Sequence, residues 1–256
     1  MATRLSAERQ QLIVEIVREQ RTATVEELSE RLGVSEATIR RDLEKLTNDG
    51  SVQRAHGGAL APHEAEPEPP VLRRVGDNAE QKRRIGHAAA ALIADGDTVF
   101  IGSGTTTVEL ARHLGGRRDL KVITNALNVA NVLAAMPEIT TILVGGVLRH
   151  SEMSMIGHLA EQALADLSAT KVVMGIRALS VERGLSNELG VETSMDRAIV
   201  RCAPTLIVLA DHSKLAKAAS VTIAPLAAVH TLVTDAQAPA EAVEAIQAHG
   251  VRVLLA

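Results

Sequence analysis

Two stretches of this chain carry residue types that could do chemistry. The first is GSGTTT, residues 102–107. Gly102 and Gly104 would let backbone N–H groups approach a ligand closely, and Thr105, Thr106 and Thr107 add hydroxyls where an amphipathic stretch begins. A helix N-terminus with free N–H groups favours an anion such as phosphate. The second is SEATIRRDLEK, residues 35–45. At helical spacing Ile39, Leu43 and Leu46 share one face, while Ala37, Thr38, Arg41 and Lys45 point the other way with Arg40 on the flank. A face of small, hydroxyl and cationic groups fits the major groove of duplex DNA, where Arg and Thr reach base edges and phosphates. The bland alternative is a solvated helix whose charges pair among themselves, Arg40 with Glu44 for instance.

Familiar phosphate motifs fit the first stretch poorly. Thr107 stands where a dinucleotide fingerprint has its third glycine, and the next apolar run closes with Asn125 instead of an acid. No Gly-Lys-Ser/Thr of a nucleotide-binding loop is present. Four further apolar runs end in glycines, hydroxyls and amides: ITNALN (123–128), VGGVLR (144–149), MGIRALS (174–180) and LADHSK (209–214). Their convergence at one edge would make a polar site, since ligands of open α/β sheets lie outside the carboxyl ends of the strands.

The elements that must position these residues fall into two parts. The Pro/Glu-rich APHEAEPEPP, residues 61–70, reads as a linker because proline removes donors and disfavours helix before it. We divide the chain into a DNA-binding domain over 1–60, a linker over 61–73 and an α/β domain over 74–256. Ahead of the linker, Leu12, Ile13, Ile16 and Val17 mark the buried stripe of a first helix. Thr24 suits the N-cap of a second, whose Val25, Leu28 and Leu32 fall on one face. Gly33 can take the positive φ of a tight turn, and Ser35 can cap the third helix. SVQRAHGGAL then suits a strand, a Gly57-Gly58 turn and a returning strand, with Arg54 and His56 near the tip. Helix, turn, helix and wing form the winged helix-turn-helix, in which Arg54 would meet the neighbouring backbone. Behind the linker DTVFIG, LKVITN, TTILVGG, TKVVMGI, TLIVLAD, HTLVTD and VRVLL alternate with Ala-rich amphipathic stretches, which argues for βαβ units and a largely parallel sheet.

Composition narrows the partners. One Phe and no Trp or Tyr argue against recognition of splayed single strands, where bases stack on aromatic rings. The net charge is −4, and residues 1–60 hold nine Arg/Lys against ten Asp/Glu, so the DNA reading rests on the order of elements and not on bulk charge. A lone Cys202 excludes an internal disulfide and suits a reducing compartment. MATRLSAERQQ lacks an apolar core of signal-peptide length, and no uncharged apolar run reaches the roughly 20 residues of a membrane span. The expected place is the cytoplasm, with no membrane partner.

Within residues 24–59 the run VEELSERLGVSEATIRRDLEKLTNDGSVQRAHGGA resembles the N-terminal signature of DeoR-type bacterial transcriptional regulators. The resemblance implies a DNA-binding winged helix in which Ser35, Thr38, Arg40 and Arg41 contact the groove, beside Lys45, Arg54 and His56 from the helix and wing. Over roughly residues 74–250, SGTTT, TNALNVA, LVGGVLR, RGLSN and ADHSK are similar to the family's sensor-domain motifs. That similarity implies an α/β fold of the ribose-5-phosphate isomerase and CoA-transferase-like kind, sensing phosphorylated sugars. Carried over by position, Ser103, Gly104, Thr105 and Thr106 would cradle phosphate, Asn125, Gly145 and Gly146 would line the site, and Lys214 would offer charge. Arg149, Arg177 and Asp211 are weaker candidates. One departure stands out: the family often has Asp before SGTT as a sugar-hydroxyl acceptor, and this chain has Gly102. With Arg177 in GIRALS, that points towards an effector with fewer hydroxyls or a second acidic group, such as a sugar acid.

The expected function is an effector-controlled repressor of carbohydrate-metabolism genes. It would act as a homodimer or homotetramer on an operator duplex, without metal, cofactor or catalytic residues. The alternative is a sugar-phosphate isomerase fused to a DNA-binding module. Isomerisation needs a general base within reach of the substrate carbon, and the only acid in the polar motifs is Asp211.

Overall fold

The computed structural model describes residues 6–20, 22–48, 52–55, 57–60, 69–188 and 192–256. His56 lies outside them. The chain divides into two compact units, Met1–Pro67 and Glu68–Ala256. Residues 69–73, within the stretch read as linker, join the second unit. Val71 is buried there, its N–H donating to the Ser151 carbonyl at 2.7 Å, and Arg74 pairs with Glu152.

The first unit runs α1 (Ser6–Gln20), β1 (Thr22–Thr24), α2 (Val25–Leu32), α3 (Glu36–Asn48), β2 (Gln53–Ala55) and β3 (Gly58–Leu60). Thr24 caps α2 through a reciprocal box: its side chain accepts from the Glu27 amide and the Glu27 carboxylate accepts from the Thr24 amide. Gly33 ends that helix in the left-handed region at φ 66°. Ile13, Val17, Leu28, Ile39, Leu43 and Ala59 are fully buried in one core, with Leu12, Ile16 and Leu32 only partly covered. The wing is three-stranded, in the order β1-β3-β2 and antiparallel throughout. The sequence reading did not find β1, whose three residues are too few to display a period.

Gly58 sits where β3 passes closest to β1. A Cβ there would lie 2.2 Å from the Ala23 carbonyl oxygen. Gly58→Ala should therefore force the strands apart and destabilise the first unit by about 1–3 kcal/mol, the usual cost of overpacking. Differential scanning calorimetry of the intact protein checks this, and an unchanged profile would contradict the close approach.

The second unit contains α4 (Ala79–Ala90), β4 (Thr98–Ile101), α5 (Thr105–Arg112), β5 (Lys121–Thr124), α6 (Leu127–Leu133), β6 (Thr140–Leu143), β7 (Val147–Arg149), β8 (Ser154–Ile156) and α7 (His158–Ala165). It continues with β9 (Lys171–Gly175), β10 (Ala178–Ser180), β11 (Gly184–Asn187), α8 (Thr193–Arg201), β12 (Thr205–Leu209), β13 (Val221–Ala224), β14 (Thr231–Thr234), α9 (Ala240–Ala248) and β15 (Arg252–Leu255). The seven apolar runs become the seven strands of one parallel sheet, ordered β15-β14-β12-β9-β4-β5-β6.

Alternation along the strands divides the sheet's two faces. Val99, Ile101, Val122, Val173, Ile207, Leu209 and Val233 pack with Ile85 of α4, Leu110 of α5 and Val129 of α6. Phe100, Ile123, Val172, Met174, Leu206, Val208 and Leu232 pack with Leu164 of α7, Ile199 of α8 and Ile246 of α9. Burial on both faces is why the strands read as unbroken apolar runs. Two antiparallel additions were not anticipated: the β7–β8 hairpin and a three-stranded sheet β10-β11-β13. Their strands are again short.

Candidate functional site

In the first unit α3 is held by Ile39, Leu43 and Leu46, all buried. A second anchor fixes its tilt: Asp42 accepts from Arg9 at 2.6 Å and from Gln10 at 2.8 Å, tying α3 to α1. Burial alone would raise the Asp42 pKa, but these two donors outweigh it and hold the carboxyl below its ordinary value. The opposite face carries the sequence candidates. Ala37, Arg40, Arg41 and Lys45 are exposed, and Thr38 is half-buried with its hydroxyl 3.0 Å from that of Ser35. Arg40 does pair within the helix, but with Glu36 at 3.0 Å and not with Glu44. That pair is more than half exposed on both sides and so worth little. Arg41 has no ion-pair partner among the described residues. The helix thus presents cations that neighbouring acids do not hold firmly. Arg54 is placed by its backbone in β2 opposite Ala59, and its side chain lies outside the described residues.

In the second unit the chain leaves β4 towards β5 and β6 on one side, while β9, β12, β14 and β15 extend on the other. The crevice between β4 and β9 is the point where the strand order reverses, the usual ligand position of such sheets. GSGTTT sits at the β4 side of it. Gly104 caps α5 at φ 141° and ψ 164°, a conformation open essentially to glycine alone. No side chain among the described residues caps that helix, which leaves its first amides without a side-chain acceptor. Thr107, fully buried, braces the turn by donating to the Gly104 carbonyl at 3.1 Å. Ser103, Gly104 and Thr105 are half-exposed, and Thr106 is buried.

The other candidates fall at graded distances from that loop. Asn125 follows β5, directly beside β4, and is buried. Arg177 follows β9, the neighbour on the other side, where its Nε donates to Glu188 at 3.3 Å and its amide to the Asn187 side chain at 3.1 Å. Gly145 and Gly146 follow β6, with β5 between them and the loop, an offset of about 10 Å at ordinary strand spacing. Packing by itself accounts for glycine at 146, since a Cβ there would lie 2.7 Å from the Ile156 carbonyl oxygen. Lys214 follows β12, two strands from β4 in the other direction. Its turn is rigid: Asp211 accepts from the Ser213 amide at 2.9 Å, and Asp235 accepts from the His212 amide at 2.7 Å and from its Nδ1 at 3.0 Å. Arg149 pairs with Glu192 at 3.0 Å.

The sequence reading missed α4 as a contributor. Asn78, at its N-cap, donates to Asp211 at 3.1 Å, and the buried Lys82 donates to the Arg74 carbonyl at 2.8 Å. Burial draws the Lys82 pKa down, opposed by Asp211 and Asp77, while Arg74 and Lys214 push it further down. Lys82 therefore adds a cation near Lys214. In AEQKRRIG it reads as one surface cation among three, and no local signal marks it.

Two family models match the chain. The DeoR-like helix-turn-helix domain covers residues 9–65, and the DeoR C terminal sensor domain covers residues 77–236. The chain is 34% identical over 252 residues, 98% of its own length and 94% of the relative's, to a putative aga operon transcriptional repressor of Escherichia coli O157:H7. It is 32% identical to the glycerol-3-phosphate regulon repressor of Escherichia coli K12, over 95% of this chain and 96% of that one. Among solved structures, ribose 5-phosphate isomerase A from Methanocaldococcus jannaschii aligns with 54% of this chain and 55% of that one, at 19% identity and TM-score 0.40, too small an overlap to bear on function.

Proposed function

This chain belongs to the DeoR family of DNA-binding transcriptional regulators, and we propose that it represses carbohydrate-metabolism genes under the control of a phosphorylated sugar or sugar-acid effector. The α3 face with the β2–β3 wing reads the operator duplex. The effector's phosphate rests on the Ser103–Thr106 loop, and Lys214 and Lys82 supply formal charge. The observation that carries this reading is the uncapped start of α5 at the strand-order reversal, where amides without a side-chain acceptor favour an anion. The names of the relatives, a repressor of the aga operon and one of the glycerol-3-phosphate regulon, support a carbohydrate-related target. Of the two effector classes, the Arg177–Glu188 pair favours the neutral polyol end over a carboxylate, which would have to displace Glu188.

Repression is relieved through differential affinity: an effector shifts operator occupancy only if it binds the DNA-competent and the released states unequally. The working form is a homodimer or homotetramer. No helix among the described residues is long and apolar enough to cross a membrane. A mobility-shift titration on the chain's own promoter region, with and without phosphorylated compounds and their unphosphorylated parents, tests the reading. One phosphorylated compound should change operator affinity while its parent does not. Equal action by the parent would defeat the phosphate assignment.

The same domain should not turn substrate over. Asp211, the acid of the polar motifs, is buried and already accepts from Asn78 and Ser213, a poor position for a general base. Coupled isomerase assays on pentose and hexose phosphates should stay at background. Turnover that Asp211→Asn abolishes would establish an enzyme.

A further inference from the structure

Asn125 is 3% exposed, yet its Oδ1 has no hydrogen-bond partner among the described residues. The amide is oriented by its other end. Nδ2 donates to the Met155 carbonyl at 2.9 Å, and a carbonyl can only accept, so the group cannot turn over and place its oxygen there. The backbone is fixed as well, the Asn125 carbonyl accepting from the Met155 amide at 2.7 Å. What remains is a rigid, desolvated acceptor. Buried polar atoms are ordinarily satisfied, so one left over beside a candidate ligand site marks a place for a donor from outside the chain.

Its position relates it to the phosphate loop. β4 and β5 pair in parallel with Ile101 opposite Thr124, which carries Asn125 to the level of Gly102, the first residue of that loop. Gly102 has no side chain to offer, so Asn125 supplies the acceptor at this height. Glycine at 102 is not forced by space: a Cβ there would meet nothing closer than the Met174 Cβ at 3.4 Å, and its φ is not in the positive region.

We infer that Asn125 Oδ1 accepts a hydrogen bond from an effector hydroxyl near the phosphorylated end, which selects polyol and sugar phosphates over phosphate esters lacking that hydroxyl. The inference rests on the proposed phosphate site at the start of α5. A site built to bond a hydroxyl rejects the analogue without it far more strongly than an apolar pocket could, because the acceptor is then left unpaired.

Isothermal titration of the full-length protein with inorganic phosphate, n-propyl phosphate, glycerol phosphate and ribose 5-phosphate tests it. At least one of the two hydroxylated esters should bind about tenfold or more tighter than n-propyl phosphate, in keeping with one bonded hydroxyl. Asn125→Leu should erase that preference, bringing the affinity for the hydroxylated esters down to that for n-propyl phosphate. Asn125→Ala, which adds no bulk, repeats the measurement if the leucine variant does not fold. Gly102→Asp placed in the alanine background should restore the preference by returning an acceptor at the same level. Equal binding of all three esters to the unsubstituted protein, or a preference that survives both Asn125 substitutions, overturns the assignment. Failure of all four compounds to bind removes the phosphate site itself, and the assignment with it.

Discussion

Replacing Arg40 and Arg41 together with alanine should lower affinity for the specific operator by roughly 30-fold to 20,000-fold, since each arginine that reads a base edge contributes about 1–3 kcal/mol. The fold itself should survive, because both side chains are exposed and the core contacts of α3 run through Ile39, Leu43 and Leu46. The Arg40–Glu36 pair does not protect against the loss: a pair so exposed is easily exchanged for a phosphate. Salt separates the two kinds of contact. Loss of a phosphate contact weakens binding to all sequences alike and lowers the slope of log K against log salt by about 1 per contact, whereas loss of a base contact narrows the gap between operator and scrambled duplex. Fluorescence anisotropy on both duplexes over a salt series measures each. Unchanged affinity on both would remove α3 as the reading helix.

The second large effect is expected at the effector loop. Thr105→Glu puts a carboxylate at the first turn of α5, where the incoming phosphate would meet the uncapped amides. Like charges there should abolish effector binding. A ligand at a hundredfold excess over its Kd stabilises the folded state by about 2.7 kcal/mol, so the thermal shift it produces should vanish entirely. The variant's own stability should change little, because Thr105 is half-exposed and an acid in the first turn suits the helix dipole. DNA binding should persist and become insensitive to effector. A variant that still answers the effector would place the phosphate elsewhere in the crevice.

Much of both units was legible in the chain because the signals are local. The Thr24 cap, the Gly33 turn and the buried faces of α2 and α3 each depend on residues no more than about four apart, the range over which helix geometry acts. All seven strands of the parallel sheet were found for a related reason: burial on both faces makes each an unbroken apolar run. β1 and the strands of the β7–β8 hairpin escaped because three residues show neither period nor run, whereas the equally short β2 and β3 were marked by the Gly57-Gly58 turn.

What the sequence determined alone, then, was which residues form the first three helices and the seven parallel strands, and which polar segments end five of those strands. Tertiary structure decided which of those ends are neighbours. β9, more than 60 residues after β4 in the chain, inserts beside it, so Arg177 follows the strand next to the GSGTTT loop while Gly145 and Gly146 stand a strand further off. It also chose the partner each polar group bonds: Glu188 for Arg177, Asn78 across 133 residues for Asp211, Arg9 across 33 residues for Asp42. It alone left Asn125 Oδ1 without a donor among the described residues. The physical reason is that strand order and side-chain pairing are fixed by packing both faces of the sheet at once, and no local stretch of chain encodes that long-range competition.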